Sequence, residues 1–310
     1  MLKLQYLLKL WYNCLKGAFT SFFTDNLGLF KMKICFLTHT FPKNINDSTA
    51  AFLHTLALGL KKAGWEVTVV TPYNQDIKPE TFPYKVEAYS YIWPRFLHRL
   101  GYSTTLKEGR LSIKAYLIIP FLLISGVWKL ISVCRKEKID IICSHWVLPN
   151  GLMAFLSSKL LNIPYTITLP GSDVYVAGQN EIFKHLAVVS ANHASWVFAD
   201  SPIFLEKIKI LGVKITKSQV IPYPVDVDKY KKSSKGLDRL LNILGFSKTD
   251  IIILAVGRLV EKKGFEFLIR SLPRLVEKNK RIKLVIVGDG DLKDKLILLT
   301  EELGISRWIK

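Results

Sequence analysis

Short apolar runs alternate with longer amphipathic stretches along most of this chain, and the period of each run identifies the element it forms. Lys33 to Thr38 and Glu66 to Thr71 are short, apolar and rich in β-branched or aromatic residues, so both read as strands. Between them, Phe52, Leu53, Leu56, Leu60 and Ala63 fall on one face of a helix over Ala50 to Ala63, with Gly64 placed as its C-cap. Strand, helix, strand is a βαβ unit. The alternation continues through strand Ile139 to Ser144, helix Gly151 to Leu161, strand Tyr165 to Leu169, strand Trp196 to Asp200 and helix Pro202 to Leu211. This order predicts a parallel, doubly wound sheet.

Pro222 and Pro224, followed by the polar stretch Lys229 to Gly236, read as an interdomain crossing. The pattern then restarts with strand Ile251 to Val256, helix Gly264 to Asn279, strand Lys283 to Val287 and the turn Gly288-Asp289-Gly290. The expected fold class is α/β, with two Rossmann-like doubly wound parallel-sheet domains, the second incomplete. The expected divisions are an amphipathic N-terminal extension at 1–31, a first domain at 32–217 and a partial second domain at 218–310.

Two segments raise the question of a membrane. Met1 to Phe30 carries Trp11, Tyr12, Phe19, Phe22 and Phe23 but is broken by Asn13, Lys16, Gly17 and Asp25, so it reads as an interfacial stretch rather than a span or a signal peptide. An upstream extension, with the protein starting at Met32, is the competing reading. Ala115 to Cys134 is almost wholly apolar and long enough to cross a bilayer, yet it interrupts a strand and helix alternation that a spanning helix would split. It is expected to be a buried or membrane-facing helix.

Lys and Arg total 44 against 25 Asp and Glu, a formal charge of +19, which points to an anionic partner such as a phosphorylated substrate or an acidic membrane face. No zinc-finger spacing, RNP-like strand or basic heptad helix is present, so nucleic acid is not an expected partner. Cys14, Cys35, Cys134 and Cys143 show no paired spacing and suit reduced thiols, with no metal expected.

The most chemically suggestive segment follows the strand Ile251 to Val256. Gly257 permits a tight turn, Arg258 supplies a planar fork of donors, Lys263 a mobile ammonium, and the helix beginning after Gly264 turns its free N–H groups to the same space. Such a corner can hold a diphosphate, and fixed cations there would favour a diphosphate leaving group as it gains charge. The same eight residues also suit a solvated basic turn.

Taken together, the motifs resemble those of the GT-B glycosyltransferases of family 4, retaining enzymes that use nucleotide sugars. The resemblance runs from about Met32 to the end of the chain. It is carried by Phe41-Pro42, Gly64 to Val67, Ser144-His145-Trp146, Pro149-Asn150-Gly151, Gly171-Ser172-Asp173, Ile221-Pro222, Gly257-Arg258 with Lys263-Gly264, and Gly288-Asp289-Gly290. It implies that the first domain takes the acceptor and the second the nucleotide sugar. Arg258 and Lys263 would grip the donor diphosphate, with Glu261 orienting them, Gly257 and Gly264 shaping the turn, and Gly288 admitting the nucleotide. His145 would be presented near the reacting sugar, and Gly171, Ser172 and Asp173 would contact it, although Ser172 or Asp173 also suits a plain helix cap. The implied donor is UDP- or GDP-linked, no cofactor or metal is required, and the acceptor is a glycan or lipid-linked molecule. His39 and His54, with no identifiable partner in sequence, are assigned structural roles.

The chain departs from the family pattern in several places. The loop Lys43 to Thr49 has no glycine, Pro170-Gly171 stands where His-Gly is common, and Tyr223-Pro224 where Asn-Gly is usual. A pair of glutamates eight positions apart, which such enzymes use to hold the donor, has no counterpart after Gly290. The expectation is a truncated hexosyltransferase, weak or inactive alone, cytoplasmic and peripheral at the inner face of the cell membrane. The alternative is a non-catalytic, membrane-docking or partner-completed lobe of a split enzyme.

Overall fold

The computed structural model describes residues 11, 13, 31–94, 98, 106–107, 110–111, 113–214, 217–225 and 236–310. The chain forms two compact units, Met1–Tyr230 and Lys231–Lys310.

The first unit is built on strands β1 (Lys33–Leu37), β2 (Glu66–Pro72), β3 (Lys85–Tyr89), β6 (Ile141–His145), β7 (Tyr165–Leu169), β8 (Trp196–Ala199) and β9 (Ser218–Val220), with a separate short antiparallel pair, β4 (Leu106–Lys107) and β5 (Arg110–Leu111). The seven strands lie in the order β3-β2-β1-β6-β7-β8-β9, all parallel, so the direction of winding reverses between β1 and β6. Register is set by alternation within each strand. Ile34 and Phe36 of β1, with Ile141 and Cys143 of β6, join a core that includes Leu53, Leu56 and Leu60 of helix α1 (Ala51–Lys62). Cys35 and Leu37, with Ile142, face the opposite core. That core is closed by α2 (Ile113–Glu137), α3 (Leu152–Leu161), α4 (Ser172–Ala177), α5 (Glu181–Asn192) and α6 (Pro202–Ile210). A one-residue slip in β1 would exchange the two sets of side chains between faces.

The run expected over Ala115 to Cys134 is the helix α2, and it lies on the sheet. Leu122, Leu130, Val133 and Cys134 are buried in the core, and Gly126 lies so close to Met153 of α3 that a Cβ there would approach its sulfur to 2.5 Å. Lys129, the charge inside the apolar run, donates to Glu87 of β3 at 2.7 Å, while Lys85 of β3 donates to Glu137 at 2.6 Å. Cys35, Cys134 and Cys143 are buried free thiols, and burial pushes the Cys143 thiol up to about 12.

One expected boundary moves. β9 pairs with β8, so the first unit continues past residue 217, and the compact units divide at Tyr230 and Lys231 rather than at 217 and 218. Three residues of mixed polarity, Ser218 to Val220, carry no readable strand period. Residues 229–235 of the expected crossing lie outside the described residues, as does the stretch Met1 to Phe30 except for Trp11 and Asn13. Trp11 corrects the interfacial reading at its own position. Its indole is 1% exposed, stacks on Tyr223 with ring centroids 5.8 Å apart, and donates to the Pro222 carbonyl at 3.4 Å. An aromatic ring expected at a lipid surface is instead part of a protein core.

The second unit consists of α7 (Leu237–Leu244), β10 (Ile251–Val256), a 3-10 turn at Glu261–Lys263, α8 (Phe265–Lys278), β11 (Ile282–Val287) and α9 (Lys293–Glu302). β10 and β11 pair in parallel from Ile251 against Ile282 to Val256 against Val287. The end of the chain lies along β11, with Lys310 N donating to Leu284 and Ile286 N donating to Lys310. Phe265, Ile269 and Leu272 of α8 pack with Leu284, Leu296 and Trp308. The other face of β10 is bare, with Leu254 62% and Val256 69% exposed.

Candidate active site

In the first unit, chemistry gathers at the carboxyl ends of β1, β6 and β7, beside the point where the winding reverses. Open α/β sheets bind ligands at such a point, because the loops there diverge to opposite faces and leave a crevice. His39 follows β1, His145 ends β6, and Gly171 to Asp173 follow β7.

His145 is completely buried, its ring 4.9 Å from Phe36 in an edge-on arrangement. Burial lowers its pKa to about 3, so it is neutral. Burial holds the Tyr223 hydroxyl well above its ordinary pKa, so the phenol keeps its proton and shares a 2.8 Å hydrogen bond with His145 Nδ1. The other ring nitrogen, Nε2, has no hydrogen-bond partner among the described residues. A buried polar atom without a hydrogen-bond partner carries a penalty of roughly 1–3 kcal/mol, and such penalties concentrate at functional sites. The expectation placed His145 against a reacting sugar, whereas no part of its side chain reaches the surface in this conformation.

His39, unlike His145, keeps partial exposure. Asn150, just ahead of α3, donates through Nδ2 to His39 Nδ1 at 3.0 Å and to the His145 carbonyl at 2.6 Å. Accepting at Nδ1 fixes the proton of His39 on Nε2, and burial of the ring against Trp146, 4.4 Å away, lowers its pKa to about 4. Asn150 thus ties the loop after β1 to the end of β6. Sequence gave no hint of this, since the partners are 111 residues apart. His54, also assigned a structural role, bonds through Nδ1 to the Tyr84 hydroxyl at 2.6 Å.

Gly171 needs to be glycine. Its φ is +119°, and a Cβ there would stand 2.3 Å from the Phe204 ring. Ser172 is exposed and accepts from the Trp146 indole at 3.3 Å. Asp173 lies beneath it, buried, with one carboxylate oxygen accepting from Val147 N at 2.6 Å and the other from Gly171 N at 3.2 Å. Burial raises its pKa to about 6, against the opposing pull of those backbone donors. The structure places Asp173 as the post that ties the β6 and β7 loops together, while exposed Ser172 holds the indole of buried Trp146.

In the second unit the cationic corner has the local form expected. Val256 ends β10, Gly257 follows, and Gly264, at φ +68°, is the residue from which α8 starts. Arg258, Glu261 and Lys263 are all exposed. The Lys263 chain folds back over Gly257, its Cε 3.9 Å from where a Gly257 Cβ would lie. Among the described residues no ion pair engages either Arg258 or Lys263, although Glu261 is close in sequence. The loop is held from the side: Leu259 N donates to Asp289 O at 2.9 Å and Leu292 N to Leu259 O at 3.0 Å. Gly288 makes that lacing possible, since a Cβ on it would sit 1.9 Å from the Gly257 carbonyl oxygen. The space Gly288 leaves is therefore filled by the neighbouring loop.

These features define a protein of the GT-B class: a complete parallel, doubly wound sheet in the first unit and a strand, cationic turn and helix in the second. A family model described as Glycosyltransferase Family 4 matches residues 49–229, more than half of the chain, and one described as Glycosyl transferases group 1 matches residues 238–310. The chain belongs to glycosyltransferase family 4. Among its relatives is TuaC of Bacillus subtilis, named for teichuronic acid biosynthesis, 27% identical over 272 residues, covering 86% of this chain and 67% of that protein. Another is the UDP-Gal:alpha-D-GlcNAc-diphosphoundecaprenol alpha-1,3-galactosyltransferase of Escherichia coli, 25% identical over 52% of this chain and 43% of its own length. The fold is shared with Anabaena HepE, solved in complex with UDP, at a TM-score of 0.65 and 19% identity over 90% of this chain and 68% of that one. Sucrose-phosphate synthase of Thermosynechococcus elongatus gives a TM-score of 0.68 at 14% identity, over 90% and 70%. The chain thus spans between 43% and 70% of the length of these proteins.

Proposed function

We propose that this chain carries the donor-gripping and acceptor-side elements of a retaining hexosyltransferase that uses a UDP- or GDP-linked sugar and a glycan or lipid-linked acceptor. The observation that carries the reading is the corner after β10, where Arg258 and Lys263 are exposed beside Gly257 and the N-terminus of α8. Cations and helix N–H groups gathered in one turn, without a carboxylate to satisfy them, suit a diphosphate. A unit charge pair about 4 Å apart is worth roughly 4 kcal/mol at an effective dielectric near 20, before desolvation. As the sugar bond breaks, the departing nucleoside diphosphate gains charge and this attraction grows, which lowers the barrier. In this reading the two cations do the work of a divalent ion, so no metal or cofactor is required. HepE was solved with UDP and the E. coli relative is named for a UDP-linked donor and a diphosphoundecaprenol acceptor, which supports a nucleotide sugar and a lipid-linked glycan here. A cytoplasmic location, peripheral at the inner membrane face, follows from such substrates.

Titration of UDP and GDP into the whole chain, followed calorimetrically, tests the reading. Binding to one of them, weakened about 10- to 100-fold in Arg258→Ala and in Lys263→Ala, is the expected result. Affinity unchanged by both substitutions removes the corner from the mechanism.

The bare apolar face of β10 favours a second reading, in which this chain turns over weakly alone and works when another polypeptide covers that face. Sugar transfer by the purified monomer at an ordinary enzymatic rate would exclude it.

A further inference from the structure

The outward face of α2 is a feature that the sugar chemistry leaves unused. Leu117, Phe121, Ile124 and Trp128 are 71%, 60%, 59% and 73% exposed, at helical spacings of four, three and four, so they form one stripe. The stripe passes through exposed Ser132 and ends at exposed Arg135 and Lys136. On α3, which packs against α2, Leu156 and Leu160 are exposed as well. Three turns of large apolar side chains standing in water are rare on a monomer and mark a surface that is covered in use.

The chemistry on either side of the stripe says what covers it. In sequence the helix is preceded by Arg95, Arg99, Lys107 and Arg110 against one acidic residue, Glu108, carries Lys114 in its first turn, and ends in Arg135, Lys136 and Lys138 around Glu137. An apolar face with two aromatic residues beside two aliphatic ones and basic residues at both ends is the pattern of a helix that lies in a bilayer interface. The helix meets the length and hydropathy of a membrane span over Leu117–Glu137, but its other face carries Leu122, Leu130 and Val133 in the protein core. It can therefore lie on a bilayer without crossing it. A second copy of a chain carrying +19 would bring like charges together, whereas an anionic surface neutralises them.

We infer that α2 is the docking face of this protein for an anionic lipid bilayer, with Leu117, Phe121, Ile124 and Trp128 entering the acyl boundary and the flanking Lys and Arg side chains meeting the headgroups. This surface belongs to the first unit and the donor corner to the second, and its test uses neither donor nor acceptor, so failure here leaves the proposed transfer reaction untouched.

The experiment is vesicle co-sedimentation of the whole chain with phosphatidylcholine alone and with phosphatidylcholine and phosphatidylglycerol in equal parts, at low and high salt. Binding to the anionic vesicles at least about tenfold tighter than to the neutral ones, and weakened by salt, is expected. Phe121→Ser with Trp128→Ser should lower that affinity at least about tenfold while the thermal midpoint stays within a few degrees, because both side chains are exposed. Arg135→Glu with Lys136→Glu should reduce the preference for anionic lipid. Quenching of tryptophan fluorescence by brominated acyl chains, lost in Trp128→Phe, would place that ring in the bilayer. Absence of binding to either vesicle, binding unaffected by the Phe121 and Trp128 changes, or a dimer in sedimentation equilibrium that those changes abolish would each overturn the inference, the last in favour of a second copy.

Discussion

At the scale of single residues, the site owes its form to a few atoms that are buried without freedom to move. Gly288→Ala places a methyl group where the Gly257 carbonyl stands, so the loops after β10 and β11 must separate. We expect a loss of roughly 1–3 kcal/mol in urea unfolding followed by Trp308 fluorescence, together with weaker nucleoside diphosphate binding, since the Arg258 loop shifts with Gly257. His145 gives a pH dependence whose sign is fixed. Its folded pKa of about 3 lies below the unfolded value near 6.5, so its contribution is whole above pH 6.5 and is lost as pH falls toward 3. Asp173 acts in the opposite sense, because its pKa of about 6 lets the folded state take a proton first and gain stability as pH falls from 6 toward 4. Replacing His145 by Gln should therefore remove about 2 kcal/mol of the stability difference between pH 6.5 and pH 5, read from unfolding curves at each pH. An unchanged difference would mean that His145 titrates in the fold as it does in the unfolded chain.

At the scale of elements, burial explains which parts were readable in advance. β7 was expected and found at Tyr165 to Leu169, and β1 and β2 differ from expectation by one residue at an end, because a strand covered on both faces leaves a continuous apolar run. The edge strands β3 and β9 escaped notice: Lys85 to Tyr89 mixes charge with apolar residues, and Ser218 to Val220 is too short for a period. The corner from Gly257 to Gly264 was legible because its chemistry is contiguous. The contacts His39 to Asn150 and Asp173 to Val147 were not, because they join positions that only the sheet brings together. The burial of Trp11 belongs to the same class, and it is testable. Trp11→Ala should destabilise the first unit by roughly 3–5 kcal/mol, measured by chemical denaturation, whereas a ring at a lipid surface would leave stability unchanged in the absence of membrane.

For the whole molecule, the two compact units imply two unfolding events. The first has a seven-stranded sheet covered on both faces; the second has a paired two-stranded sheet whose outer face is covered at Val285 of β11 and bare along β10. Trp308 is the single tryptophan between residues 231 and 310, so its emission reports on the second unit. Urea should unfold the second unit first, and Trp308→Phe should remove that early transition from the fluorescence curve while the circular dichroism curve keeps both. One cooperative transition by both probes would show that the units stabilise each other strongly. Within the first unit, Trp11 stacks on Tyr223, Tyr223 lies 4.2 Å from Phe52, Phe52 lies 6.3 Å from Trp146, and Trp146 lies 4.4 Å from His39. Rings so spaced couple their electronic transitions, so this column gives the protein an intrinsic chiroptical signal in the near ultraviolet. That band would fade whenever the segment bearing Tyr223 peels from the sheet, and so would register the loosening of the chain's exit from the first unit while the rest of the fold is still intact.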